Sequence, residues 1–255
     1  MNLKDLGWVL GPSDEEIKAD SLARITSVHR SLCKAVTISG DVNIYLSGRF
    51  HADVSLGADK PVTGDFVKIS PPFIDEQGSN AAILEEILPR RSKISRVAPG
   101  PGIDEQILVA NVDFAFIVTS ANADFSINRL QRYIILAKEG SVTPIILLSK
   151  IDLVESPETL ILEIKNRLGE LEIIPVSSIM DIGIYEIREK LVTGSTSVFL
   201  GSSGVGKSTI VNKLLGEQVQ ITRGIREDDS RGRHATTARE LFVVSGGGMI
   251  WNSPN

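Results

Sequence analysis

The sequence predicts an α/β domain of circularly permuted chain order, preceded by a small all-β barrel of the oligonucleotide/oligosaccharide-binding (OB) type. Three observations lead there. Short β-like runs crowd residues 21–88, strand-length and helix-length apolar patterns alternate from residue 107 onward, and two loop motifs in that second part stand in inverted order. At 255 residues the chain exceeds the usual size of one domain, so two are expected.

Residues 1–20 mix a short apolar start with Gly11-Pro12 and the acidic Asp14-Glu15-Glu16, and read as a lead-in. Strands follow at Leu22 to Val28, Ala35 to Ser39, Val42 to Leu46 and Asp65 to Ile69, with Ile83 to Ile87 as a fifth. Gly40-Asp41 is expected as a tight turn, and Pro71-Pro72 ends the fourth strand. Several short strands in so few residues favour a closed barrel, which removes exposed edges; strand counting alone does not separate the OB type from an SH3-like barrel. Residues 89–106, with Pro99-Gly100-Pro101-Gly102, read as a linker.

In the second domain, residues 107–255, Val112 to Thr119 is a near-continuous apolar run, as a strand buried on both faces requires. Ile127, Leu130, Tyr133, Ile134 and Ala137 then recur at helical spacing. Strands at Pro144 to Leu148, Glu172 to Val176 and Ser197 to Leu200 alternate with helices at Leu160 to Leu168, Ile182 to Leu191 and Thr209 to Leu215. Glu240 to Val244 and Met249 to Trp251 are expected as a final hairpin. This alternation means a mostly parallel sheet covered by helices, with ligands at the carboxyl ends of its strands.

Composition narrows the class. With 42% apolar and 23% charged residues the chain is globular, not disordered. Its single cysteine, Cys33, excludes an internal disulfide and a thiolate-rich zinc site. No apolar run is long enough to span a membrane, and the start lacks a signal-peptide pattern, so the cytoplasm is expected. A net charge of -5 gives no general case for nucleic acid. Arg90, Arg91, Lys93 and Arg96 cluster, however, as do Arg223, Arg226, Arg231, Arg233 and His234; each cluster is either a phosphate contact or a solvated basic turn.

Gly201-Ser202-Ser203-Gly204-Val205-Gly206-Lys207-Ser208 lies between a strand and a helix, the setting that makes a phosphate-loop match meaningful. The three glycines permit a tight turn with amides aimed at phosphate oxygens, and the helix that follows through Thr209 adds its positive end. Lys207 is expected to reach the β- and γ-phosphates and Ser208 to place its hydroxyl on Mg²⁺. Upstream, Ser149-Lys150-Ile151-Asp152 follows a strand and resembles a guanine-reading loop. The two oxygens of Asp152 can accept the ring N–H and exocyclic NH₂ of guanine; adenine offers no matching pair, and a buried carboxylate left unpaired is costly. Lys150 would lie along the base. Ser149 stands where such loops mostly carry Asn, with one fewer cross-loop hydrogen bond. Ser177-Ser178 could supply a backbone N–H to guanine O6. In ordinary GTPases the phosphate loop comes first; here it comes second, hence the permuted order. Among Arg231 to Thr237, Thr236 and Thr237 are equal candidates for Mg²⁺, and His234 either orients the attacking water or is a polar loop residue.

These motifs resemble the RsgA/YjeQ family of circularly permuted GTPases. The resemblance is carried by Gly64-Asp65-Phe66-Val67, Leu88-Pro89-Arg90-Arg91-Ser92, Ala110-Asn111-Val112-Asp113, both nucleotide loops and Gly232 to Thr237. It implies an OB-type barrel that binds RNA, a permuted phosphate-loop GTPase domain using GTP and Mg²⁺, and a zinc-binding domain after it. It also implies binding to the small ribosomal subunit and its rRNA, with hydrolysis coupled to late maturation of that subunit. A monomer without membrane contact is expected. Two departures are visible: no zinc-ligand cluster occurs, so the chain reads as C-terminally truncated and zinc-free, and Asn252-Ser253-Pro254-Asn255 stands where the family has Asp-Thr-Pro-Gly. A neutral asparagine cannot supply the aspartate's charge near Mg²⁺. Three readings follow: a ribosome-linked GTPase, possessing weak turnover at best; a GTP/GDP-binding module with little or no hydrolysis; and an ATP-using phosphate-loop enzyme, for which Asp152 has no purpose.

Overall fold

A computed structural model describes residues 2–8, 18–29, 32–48, 50, 60–97, 105–122, 124–216, 240–244 and 247–252. The chain divides into two compact units, Met1–Val112 with Arg239–Phe242, and Asp113–Ala238 with Val243–Asn255.

In the first unit, β1 (Leu22–Val28), β2 (Leu32–Thr37), β3 (Gly40–Leu46), β4 (Phe66–Ile69), β5 (Phe73–Ile74) and β6 (Asn80–Ile87) form one sheet in the order β3-β2-β1-β4-β6-β5. A further parallel pairing of β3 with β6, Asn43 to Leu46 against Ala81 to Leu84, closes five of these strands into a barrel. Its interior holds Ala23, Ile25, Cys33, Ala35, Val42, Ile44, Val67, Ile69, Ala82 and Leu84. Small residues among branched ones suit so narrow a bore, and period-two alternation delivers them. That strand order, with β3 and β6 paired in parallel, is the OB type. The β2–β3 turn falls at Ile38-Ser39 instead of Gly40-Asp41. Thr37 Oγ accepts from Ser39 N and donates to Gly40 O, so the reversal is complete before Gly40 opens the next strand at φ 121°.

The expected linker contains a strand. β7 (Lys93–Val97) pairs antiparallel with β8 (Glu105–Ala110). The motifs shared with the family converge beside it. Asp65, fully buried, receives Arg90 Nε at 2.7 Å and Nη2 at 2.9 Å. Asn111 donates to Gly64 O and accepts from Arg91 N, while Ser92 Oγ donates to Val112 O and accepts from its N–H. Gly64, at φ 90°, lies so close to the β8 end that an added Cβ would stand 2.1 Å from Ala110 O. Arg90 is therefore a structural cation, and Lys93 is bonded to Glu105.

In the second unit, β9 (Phe114–Ser120), β10 (Thr143–Ser149), β11 (Glu172–Val176), β12 (Thr196–Leu200) and β14 (Gly247–Asn252) run in the order β11-β10-β9-β12-β14. The pairings β11–β10, β10–β9, β9–β12 and β12–β14 are parallel. Glu240–Val244 (β13) precedes β14 in the chain. Helices α1 (Ile127–Glu139), α2 (Pro157–Leu168), α3 (Ile184–Lys190) and α4 (Lys207–Leu215) supply the crossovers. Leu130 and Ile134 of α1 and Ile164 of α2 pack with Ile117 and Ile146 of the central strands. The strands β9, β10 and β11 step outward, and β12 then returns to the far side of β9. That reversal puts a crevice at the carboxyl ends of the middle strands.

Candidate functional site: two loops at one sheet edge

The loop after β12 is shaped by its glycines. Gly201 has φ 148°, and a Cβ there would lie 2.4 Å from Val118 O of β9, so a side chain is excluded. Gly206 (φ 100°) precedes α4 as its N-cap with no side-chain cap, leaving the first-turn amides of the helix to other acceptors. At Gly204, exposed and at φ 79°, an added Cβ would meet open space. Val205 is buried and anchors the loop between them. Lys207 bends over it, donating to Gly201 O at 2.7 Å and Ser202 O at 2.6 Å. Burial pushes its ammonium pKa below the ordinary lysine value. Ser203, Ser208 and Thr209 are exposed.

The loop after β10 interlocks with it. Ser149, buried at the strand end, directs Oγ to Val205 O at 2.6 Å and to Thr119 O at 3.1 Å. Lys150 takes the left-handed conformation (φ 58°, ψ 37°), and its Nζ donates to Gly204 O at 2.7 Å. Asp152, exposed in the short 3₁₀ turn Ile151–Leu153, accepts from Ser177 Oγ at 2.6 Å. Ser177 is fully buried just after β11, and half-buried Ser178 follows it.

The Ser177 loop is itself braced. Ser177 and Ile182 exchange backbone hydrogen bonds at 3.1 Å, and Met180 N donates to Ser177 Oγ at 3.2 Å. Asp181, at φ 58°, forms an ion pair with Lys213 of α4. Gly183 (φ 77°) is required because a Cβ would lie 2.2 Å from Pro175 O. Sequence reasoning assigns Ser177 a backbone role and misses its hydroxyl and the Asp181–Lys213 brace. Gly183, closing a turn six positions after Ser177, is the signal that could have found the turn.

The arrangement fits a guanine nucleotide: an uncapped helix terminus and open glycine turn for phosphate, and an exposed carboxylate held by a serine for the base. Of the hydroxyls expected at Mg²⁺, Ser208 lies among the described residues, and it suits an ion that keeps waters and phosphate oxygens as its main ligands. No cluster of metal-ligating side chains occurs among the described residues. His234, Thr236, Thr237 and the basic cluster from Arg223 to Arg233 lie outside the described residues. Asn252 ends β14, the parallel neighbour of β12, with Val198 opposite Trp251.

The family model described as RsgA GTPase matches residues 87–255, more than half of the chain. A small ribosomal subunit biogenesis GTPase RsgA from Methanosarcina acetivorans is 38% identical over 231 residues, covering 91% of this chain and 60% of the relative. The chain thus spans about three fifths of the length of that relative, and 64% of a second from Vibrio vulnificus. Among solved structures, YjeQ from Thermotoga maritima aligns with a TM-score of 0.68 at 24% identity, over 92% of this chain and 74% of that one. YloQ, described as a circularly permuted GTPase, aligns with a TM-score of 0.63 at 21% identity, over 97% and 74%. These two establish the shared fold, a circularly permuted phosphate-loop domain preceded by an OB-type barrel. The chain belongs to the RsgA GTPase family.

Proposed function

We propose that this protein binds GTP and hydrolyses it to GDP and phosphate, in the cytoplasm, as a monomer working on the small ribosomal subunit. The observation that carries the reading is the interlock of the two loops: Ser149 on Val205 and Lys150 on Gly204 bring the base-reading segment against the phosphate loop. Asp152 reads guanine N1–H and the 2-amino group. Gly201 to Gly206 cradle the phosphates through their amides, with Ser202 and Ser203 lining the turn and Thr209 in the first turn of α4. Lys207 leaves its carbonyl partners for the β- and γ-phosphates. Mg²⁺, when bound through Ser208 and one of Thr236 and Thr237, would neutralise charge building on the phosphates. His234 orients the water. The subunit and its rRNA as partners are supported by the relatives' names and by the barrel, a type that binds oligonucleotides.

A second reading, nucleotide binding with little turnover, is favoured by Asn252. It ends β14 beside the strand that feeds the phosphate loop, and its side chain carries no charge for the metal. Single-turnover GTP hydrolysis, with and without small ribosomal subunits, tests both. The proposal expects slow turnover that the subunits accelerate, and faster turnover in Asn252→Asp. GTP left unhydrolysed both with subunits present and in Asn252→Asp would leave only nucleotide binding.

A further inference from the structure

The outer face of the barrel over β3, β6 and β5 carries an apolar row that nothing in the nucleotide site uses. Tyr45 is in register with Ile83, and Phe73 with Ala81, two positions earlier on β6. Alternation puts Ala81 and Ile83 on one side and Ala82 and Leu84 in the core, so Tyr45, Ile83 and Phe73 share the outer face. Phe73 is 43% exposed and Ile83 40%. β5 ends the sheet order, and its outer edge pairs with no strand among the described residues.

The surroundings are acidic. Asp41, Asp75, Glu76, Glu85 and Glu86 border the row, against Lys34 and Lys68. Asp75 Oδ2 accepts from Tyr45 OH at 3.2 Å and from Asn43 Nδ2 at 3.4 Å, fixing one carboxylate at its edge. The Tyr45 phenol is raised by lost hydration, by its bond to Asp75 and by the charges of Asp75 and Glu76. A shallow cleft lined in part by Lys34, Asp41, Asn43, Ser79 and Asn80 continues the face.

We propose that this face docks a basic polypeptide segment, whose apolar side chains cover Tyr45, Ile83 and Phe73 while its backbone extends the sheet at β5 and its cations meet the carboxylates. RNA is disfavoured here because its phosphates would face the acidic border, and a second copy of this chain would bring the same charge.

The test is fluorescence anisotropy of the full chain with two probes: a short synthetic peptide alternating valine with lysine and arginine, and a uridine oligonucleotide of equal length. The peptide should bind, more weakly as salt rises, and lose about tenfold or more in affinity in Phe73→Ser and in Glu85→Lys, with the GDP titration unchanged. Should Phe73→Ser melt early, Glu85→Lys, a change at an exposed position, decides alone. Absence of peptide binding, equal affinity in wild type and Glu85→Lys, or oligonucleotide binding abolished by Phe73→Ser would each overturn the proposal.

Discussion

The Ser149 hydroxyl has one proton and two carbonyl neighbours, Val205 O at 2.6 Å and Thr119 O at 3.1 Å. The shorter contact takes the proton, so one hydrogen bond ties the end of β10, proposed to read the base, to the loop after β12, where an asparagine could donate twice. Ser149→Ala should therefore weaken GDP binding about tenfold, the equivalent of ~1.4 kcal/mol, measurable by titration. Ser149→Thr, which keeps the hydroxyl, should retain most of the affinity. Asp152→Asn replaces an acceptor with an N–H donor. It should lower GTP affinity and favour xanthine nucleotides, whose 2-oxo group accepts where guanine donates; an unaltered GTP preference would remove Asp152 from base reading. The phosphate-holding role proposed for Lys207 requires its charge, and burial lowers its pKa. Affinity for GDP should accordingly be full below that pKa and fall as pH rises through it, earlier than an ordinary lysine would allow. The two loops that hold Asp152, Lys207 and the glycines are legible in sequence because residue type and spacing place each of them after an apolar strand. The Ser177 hydroxyl is not, since its contact with Asp152 spans separate strands.

Among the elements, β1 and β11 are legible with their bounds intact, because apolar runs there stop at polar or turn residues. β5 has only two residues, and β7 interleaves Lys93, Ser95 and Arg96 beside a Pro-Gly stretch, so neither gives a strand pattern. β7 exists through its pairing with β8, a tertiary cause that overrides local signal. The same region explains why Leu88-Pro89-Arg90-Arg91-Ser92 reads as a basic patch in sequence yet serves the fold. Asp65 is fully buried and the Arg90 side chain is 9% exposed. Removing one partner leaves an uncompensated buried charge, so Asp65→Ala should destabilise the protein by about 3 kcal/mol or more in urea unfolding. A cost near that of a surface pair would mean the ion pair is solvated. Inside the barrel, burial and the nearby Asp65 charge push the Cys33 thiol up to about 11. A thiol reagent at neutral pH should label Cys33 only in denaturant, making it a reporter of barrel opening; rapid labelling of the native chain would contradict its burial.

At the scale of the whole molecule, chain order and spatial order part company. A permuted connection changes which loop is reached first, but the neighbours β10, β9 and β12 still bring both loops to one sheet edge. Ligand binding should consequently stabilise the fold by linkage: GDP at a hundredfold over its Kd would add about 2.7 kcal/mol, seen as a raised Tm. The most direct test of a single guanine-nucleotide pocket is competition against a fluorescent GDP analogue on the purified chain. The account predicts displacement by GTP and GDP but not by ATP or ADP, and no analogue binding in Lys207→Ala. Equal displacement by adenine and guanine nucleotides, or an unchanged dissociation constant in Lys207→Ala, would contradict it.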